Sequence, residues 1–236
     1  MSVAAHLGIA VRDYDALIRT FIPRYEEMLD AAAANLGALR HKPTLIVDLG
    51  IGSGALASRC LAVAPRARVV GVDSDSSMMA LAERRLRGRV TMLTGDFLTV
   101  PLPRCDAMVA SLALHHIRTR RRKKTFYARC LAALRPGGAL INADLCLSSS
   151  ATLQARDQDA WRAFLQRRYS RAKARSYLKA WAKDDTYFRL TDEIDLLQSV
   201  GFEVDIPWRR DGFAVLVATK RPARSSRRHT RAVRSV

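Results

Sequence analysis

The stretch Leu45-Ile46-Val47-Asp48-Leu49-Gly50-Ile51-Gly52-Ser53-Gly54 runs an apolar, β-branched segment into an acid and three alternating glycines. Residues 44–49 are apolar enough for a strand buried on both faces, and the alanine-rich residues 55–63 read as a helix. The order predicts a tight strand-to-helix turn between them. Glycines at 50, 52 and 54 remove the β-carbons that would hold a ligand off the backbone, and leave amide N–H groups pointing outward at a helix N-terminus.

The bulk composition bounds what surrounds this turn. With 236 residues, the chain suits one α/β domain with a sizeable core and a small helical addition. No apolar run reaches the roughly 18 residues of a membrane helix, and residues 1–11 lack the basic start and cleavage pattern of a signal peptide. No membrane partner and a cytoplasmic location are the expectation. Cys60, Cys105, Cys130 and Cys146 show no C-x-x-C pairing, which argues for buried thiols and against a zinc site or disulfide framework; no metal is expected. The net charge of +18 is concentrated: residues 118–124 carry six bases, 162–183 eight and 220–236 seven, with no acid in any of the three. The remaining 19 bases face 22 acids, so the scaffold outside these clusters is slightly acidic and the positive charge is local.

Taken in order, residues 12–21 and 23–39 read as two helices ahead of the first strand, with Pro23 acceptable in a first turn. A second strand is expected over 67–72, then a helix from about Ser76 capped by Asp75. A third strand spans 89–93 and a fourth 105–111. Residues 118–134 form a helix with an exposed basic face, stopped by Pro136-Gly137-Gly138 before a fifth strand over 139–145. Residues 148–183 are an insertion of helical period, rich in aromatics and bases. Thr191 is expected to cap a helix through Val200, and 202–209 and 213–220 to close the sheet as a hairpin through Asp211-Gly212. The result is an α/β, Rossmann-like seven-stranded sheet with its last strand antiparallel and helices on both faces. Residues 1–40 are its cap helices, 41–220 the main domain, and 221–236 a basic tail too polar to pack.

A glycine turn of this kind fits a dinucleotide as well as an adenosyl sulfonium, and G-x-G-x-x-G would favour NAD. Here the pattern is Asp48-x-Gly50-x-Gly52-x-Gly54, which resembles the first motif of the class I S-adenosylmethionine (SAM) dependent methyltransferases. Further landmarks sit at matching distances: Asp73, Gly95-Asp96-Phe97, the run from Asp106 through Ser111 to His115-His116-Ile117, and Leu134-Arg135-Pro136-Gly137-Gly138. The resemblance covers roughly residues 40 to 220. It implies SAM as cofactor, bound by Asp48, Gly50, Gly52 and Gly54 at the turn and by Ser111 at the end of the fourth strand. Asp73, 19 residues after Gly54, falls where a carboxylate after the second strand accepts both ribose hydroxyls, being an acceptor only. In the family resembled, an acid such as Asp96 reads the adenine amino group and Phe97 walls the ring; an Asx turn with a core phenylalanine is the alternative. The pattern Tyr14-Asp-x-x-Ile18-x-x-x-Ile22-Pro23-x-Tyr25 resembles the N-terminal segment of the carboxy-SAM synthase group, placing Tyr25 near the cofactor. Ordinary helix packing also accounts for both tyrosines.

His115 and His116 end the fourth strand beside the transferable methyl. An imidazole that titrates near about pH 6.5 suits a general base there, although in this family Leu-His-His also serves mainly to shape the loop. Asp144, at the end of the fifth strand, faces the same crevice as a candidate substrate contact. An insertion like 148–183 builds the acceptor pocket in such enzymes, which makes Trp161 and Tyr177 candidate substrate residues.

The fourth landmark has no Asn/Asp-Pro-Pro-Tyr/Phe run and no Pro-Cys pair, which excludes the usual base-amino methylation of DNA and cysteine-assisted C5 methylation. The first expectation is methyl transfer to O, N or C of a small molecule. The second is an RNA-linked enzyme, acting on tRNA or supplying carboxy-SAM for its modification. A non-catalytic SAM-binding subunit and a homodimer are further expectations.

Overall fold

Strand order turns around beside the glycine turn, and that reversal places the site. In the computed structural model, which describes residues 9–222, the sheet runs β3-β2-β1-β4-β5-β7-β6. β1 (Leu45–Leu49), β2 (Arg68–Asp73), β3 (Val90–Thr94), β4 (Cys105–Ser111) and β5 (Leu134–Leu145) are parallel. β6 (Phe202–Arg210) pairs antiparallel with β7 (Phe213–Lys220), which itself lies antiparallel to β5. β1 pairs with β2 on one side and β4 on the other, so a crevice opens past their carboxyl ends, where ligands of open parallel sheets bind.

Alternation within the strands sorts the core. Ile46 and Val109 face one hydrophobic layer, and Val47, Met108 and Ala110 the other, as period-two side chains must. The first layer includes residues of α1 (Tyr14–Phe21), α2 (Tyr25–Ala34), α3 (Ala55–Val63), α4 (Ser76–Leu86), α6 (Ala151–Leu165) and α7 (Arg171–Asp184). The second is closed by α5 (Arg120–Ala133) and α8 (Leu190–Val200). Asp75 caps α4 by accepting from the Ser77 and Met78 amides. Asp211 and Gly212 take positive φ of 47° and 86°, the backbone a two-residue hairpin needs.

Several local expectations are corrected. The leading α-helices are shorter, because their outer ends are 3-10 turns, Val11–Asp13 and Asn35–Ala38, and the second starts behind Arg24, which has a left-handed φ of 54°. Pro136-Gly137-Gly138 does not separate α5 from β5. The strand begins at Leu134 and absorbs the three residues, with a register shift opposite Cys105 and Ala107. Gly138 is needed there, since a β-carbon would lie 2.4 Å from the Asp106 carbonyl oxygen. Thr191 is not a cap: α8 starts one residue earlier, behind Arg189, with no side-chain cap bond. The insertion is two helices, α6 and α7. No described helix is long and apolar enough to cross a membrane. The expected basic tail lies, apart from Arg221 and Pro222, outside the described residues.

The basic face expected of α5 is also not fully exposed. Lys123 is buried, ion-paired with buried Glu193 of α8, while the Tyr127 hydroxyl donates to the other Glu193 oxygen at 2.5 Å. Lys123 also lies 4.6 Å from the centre of the Phe188 ring. Removing one partner of such a pair leaves an uncompensated buried charge. Lys123→Met is therefore expected to lower stability by about 3–5 kcal/mol, and Lys123→Met/Glu193→Leu to recover most of it. Urea midpoints of the single and double variants measure this, and a single variant within error of the parent would refute it.

Candidate active site

The glycine turn is built by backbone bonds that glycine alone accommodates. The Gly50 and Ile51 amides donate to the Val72 carbonyl at 2.8 and 3.0 Å, bending the chain sharply after β1. Gly50, Gly52 and Gly54 all have positive φ. A β-carbon on Gly50 would fall 2.7 Å from that of Ala113, so the turn presses against the loop after β4. Gly54 packs on Ala82 of α4, and its missing side chain serves helix approach.

Gly50 and Gly52 line one half of a cleft of about 490 Å³, with Tyr14, Asp73, Ser74, Asp96, Phe97 and Ser111. Asp73 is gripped from both sides: the Gly52 amide donates to Oδ2 at 2.9 Å and the Asp75 amide to Oδ1 at 3.0 Å. Each oxygen keeps a second lone pair, and both are fixed for a paired donor such as a diol. Asp96 is exposed and forms the Asx turn, accepting the Leu98 amide at 2.8 Å on Oδ1. Phe97 packs against Phe126.

The other half of the cleft is apolar and aromatic, with Ile18, Phe21, Trp161, Trp181 and Phe213 on its walls. The Trp161 indole donates to the Phe21 carbonyl at 2.7 Å, tying α6 to α1. Where the halves meet, His115, His116, Asp185 and Tyr187 line the cleft. Leu112, the first residue past β4, has a left-handed φ of 51°. That conformation is strained for a branched side chain and starts the short 3-10 turn carrying the histidines.

Asp144 lies beneath His115. Its Oδ1 is 2.6 Å from His115 Nδ1, and its Oδ2 accepts the His115 amide at 3.1 Å. A carboxylate there fixes the proton on Nδ1 and leaves Nε2 as the basic atom. Nε2 is 3.6 Å from Asp185 Oδ1, which is also 3.3 Å from His116 Nδ1. The Tyr187 hydroxyl donates to Asp185 Oδ2 at 2.6 Å, and the Thr186 amide to the His115 carbonyl at 3.0 Å. Burial works against a charged His115, but Asp144 and then Asp185 outweigh it and raise its pKa above the ordinary 6.5. Burial likewise opposes the charges of Asp144 and Asp185, and their histidine partners overcome it, so both carboxyls stay below the usual range. His115, His116 and Asp185 offer ligand atoms within 4.8 Å of one another. This group can share a proton or hold a cation.

Residues 46–138 match the family model described as a methyltransferase domain. The chain carries a methyltransferase domain. An uncharacterised methyltransferase of Geobacillus kaustophilus is 28% identical over 155 residues, covering 65% of this chain and 64% of that one. The match thus spans a little under two thirds of that relative's length. A carboxy-S-adenosyl-L-methionine synthase of Nautilia profundicola is 22% identical over 212 residues, 88% of this chain and 90% of that one. Among solved structures, human N-acetylserotonin methyltransferase in complex with SAM shares the fold, with a TM-score of 0.62 at 19% identity, covering 93% of this chain and 58% of that one.

The sequence reading and the cleft differ at five residues. Asp48 is buried beneath the turn and does not line the cleft. Gly54 serves packing. Tyr25 is buried in the core, and the other tyrosine of the pattern, Tyr14, lines the cleft instead. Asp144 holds His115 from beneath and does not line the cleft. Tyr177 stacks with Trp181 and meets Tyr169 and Phe21 edge-on, off the cleft wall. Asp185 and Tyr187, which do line it, follow the insertion without any recognisable pattern. Arg118 and Arg122 of the first basic cluster also reach the wall.

Burial first, then the nearby Asp73 charge, pushes the Asp48 carboxyl up to about 8. The folded chain therefore holds a proton on Asp48 that the unfolded chain has released above about pH 4. Stability contributed by this group falls as pH rises from about 4 to 8 and is flat beyond. Asp48→Asn should gain on the parent steadily across that window, read from urea midpoints at pH 5, 6, 7 and 8. A constant difference would exclude the buried proton.

Proposed function

We propose that this methyltransferase domain transfers the methyl group of SAM to a hydroxyl or N–H group of a small molecule seated in the apolar half of the cleft. The observation that carries the reading is the Asp144–His115 pair on the wall between the two halves. Bound SAM supplies an already activated methyl, so the protein has only to orient the acceptor, exclude water and take up its proton. The glycine turn fits the cofactor because Gly50 and Gly52 present bare backbone, and Asp73 presents two fixed acceptors. Phe97 and the exposed Asp96 offer a ring wall and a polar reader. On the acceptor side, Trp161, Trp181 and Phe213 exclude water from a flat apolar body. His115 Nε2 takes the proton between Asp144 and Asp185, whose charges stabilise the imidazolium. The test is formation of S-adenosylhomocysteine with a panel of phenols and aromatic amines. Turnover insensitive to chelator is expected. A His115→Gln variant with unchanged rate would overturn the assignment of the base.

A second reading is favoured by the match to the carboxy-SAM synthase, which extends along 88% of this chain. Mass spectrometry of the small molecule that copurifies separates the two. SAM or S-adenosylhomocysteine is the expected outcome, and a carboxylated sulfonium would reverse the ranking.

A further inference from the structure

A second cavity, of about 490 Å³, lies between α6, α7 and the end of β5, and shares Leu145, Trp161 and Tyr187 with the cleft. These three side chains are a common wall, so a molecule in the apolar half of the cleft is one residue's thickness from the second cavity. Its floor is apolar, with Leu147, Leu178 and Ala182. Its rim is cationic, formed by Arg162, Arg171, Arg175 and Lys179, all exposed.

The rim is not a chance scatter of bases. Arg171, Arg175 and Lys179 fall at successive intervals of four, one straight stripe on the face of α7 that borders the cavity. Like charges at this spacing repel and weaken a helix. Arg162 is paired with Asp159, whereas Arg171, Arg175 and Lys179 have no ion pair among the described residues. The cavity's two acids do not answer them. Asp157 is held by the Ser148 hydroxyl at 2.6 Å and by Arg156 at 3.1 Å, and Asp211 lies 3.9 Å from Arg24. Three uncompensated cations over an apolar floor, behind the acceptor wall, leave the negative charge to be supplied from outside the chain.

We propose that this cavity is a subsite for the anionic end, carboxylate or phosphate, of the methyl acceptor, whose apolar body reaches past Trp161 into the cleft. The inference rests on the small-molecule reading above. A nucleic-acid backbone would also seek cations, but it has no use for a concave apolar floor, and the observations favour a small amphiphile.

The test uses three probes of one ring system, 2-naphthol, 2-naphthoate and 2-naphthyl phosphate, titrated against the full chain saturated with S-adenosylhomocysteine at about 150 mM salt. At least one anionic probe should bind about tenfold or more tighter than the neutral one, and which of them does distinguishes carboxylate from phosphate. In Arg171→Gln/Arg175→Gln/Lys179→Gln the preference should vanish while the affinities for 2-naphthol and S-adenosylhomocysteine stay within twofold. The substituted positions are exposed, and relief of repulsion should leave the thermal midpoint unchanged or higher. Equal affinities in the parent, or a preference that survives the triple variant, would overturn the proposal. So would a single-stranded oligonucleotide binding tighter than either anion and losing more on substitution. Failure of S-adenosylhomocysteine to bind at all would instead strike the underlying reading, so the two failures are distinct.

Discussion

Asp144→Asn is expected to slow methyl transfer by about 10²- to 10⁴-fold while leaving the affinity for SAM within about twofold of the parent. The substitution keeps volume, but its single oxygen can answer either the His115 amide, which Asp144 Oδ2 accepts at 3.1 Å, or the Leu145 amide, which Oδ1 accepts at 2.9 Å. What it removes is the charge, and with it the certainty of the tautomer. An amide can donate to Nδ1 as readily as accept from it, and a proton moved to Nε2 blocks the basic atom. The pH profile separates this from mere loosening. A base must be unprotonated to act, and Asp144 raises the His115 pKa, so the acid limb of the parent profile should lie above about pH 6.5 and move to lower pH in Asp144→Asn. A parent-like profile with a parent-like rate would mean that the pair only shapes the loop.

Gly50→Val is expected to abolish measurable SAM binding, and Gly52→Val to weaken it by about tenfold or more. The two differ in cause. At Gly50 the side chain has no room, with Ala113 at 2.7 Å and a φ of +73°, so the turn and the loop after β4 must part. At Gly52 the nearest side-chain atom, Met78 Cε, is 3.7 Å away, so a β-carbon has room, and the bulk is added at a residue that lines the cleft. Left-handed strain is common to both. Calorimetric titration with S-adenosylhomocysteine, beside a thermal melt, distinguishes lost binding from lost fold. Parent-like affinity in a folded Gly52→Val would remove the cofactor from this turn.

The order of elements was legible because the parallel strands are buried on both faces, and such strands read as apolar runs with glycines or acids at their ends. Asp73 stood out because a strand end and a fixed distance from the glycine turn coincide there. Asp144 was visible as a strand-ending acid, but its depth was not: whether such a residue meets a ligand or a neighbouring side chain depends on the strand beside it, here β4 and its histidines. Tyr14 and Tyr25 are equivalent in sequence, both on leading helices, and which of them meets the cleft depends on how each helix packs. Asp185 and Tyr187 gave no signal, since they act through contacts 69 to 72 residues away in sequence, to His115 and His116. Lys123 gives no sign of its burial, because it stands in a run of five bases that suggests solvent, and the acid that pairs with it arrives 70 residues later.

The first helix is fastened at two ends. At one, the Ser53 hydroxyl of the glycine turn donates to Asp15 at 2.6 Å, and Arg85 bridges Asp15 to the Ser53 carbonyl. At the other, Phe21 sits among Tyr169, Tyr177 and Trp181 of the insertion. One rigid rod of about two turns thus reports on both compartments. A molecule that loosens or tightens either fastening changes what the other must work against, and the influence is equal in both directions. Affinity for the acceptor should then depend on which sulfur compound already occupies the enzyme, and amide exchange along residues 14–21 would register the difference. Methyl donor and recipient would not be independent guests; each would help choose the moment of the other's arrival and departure.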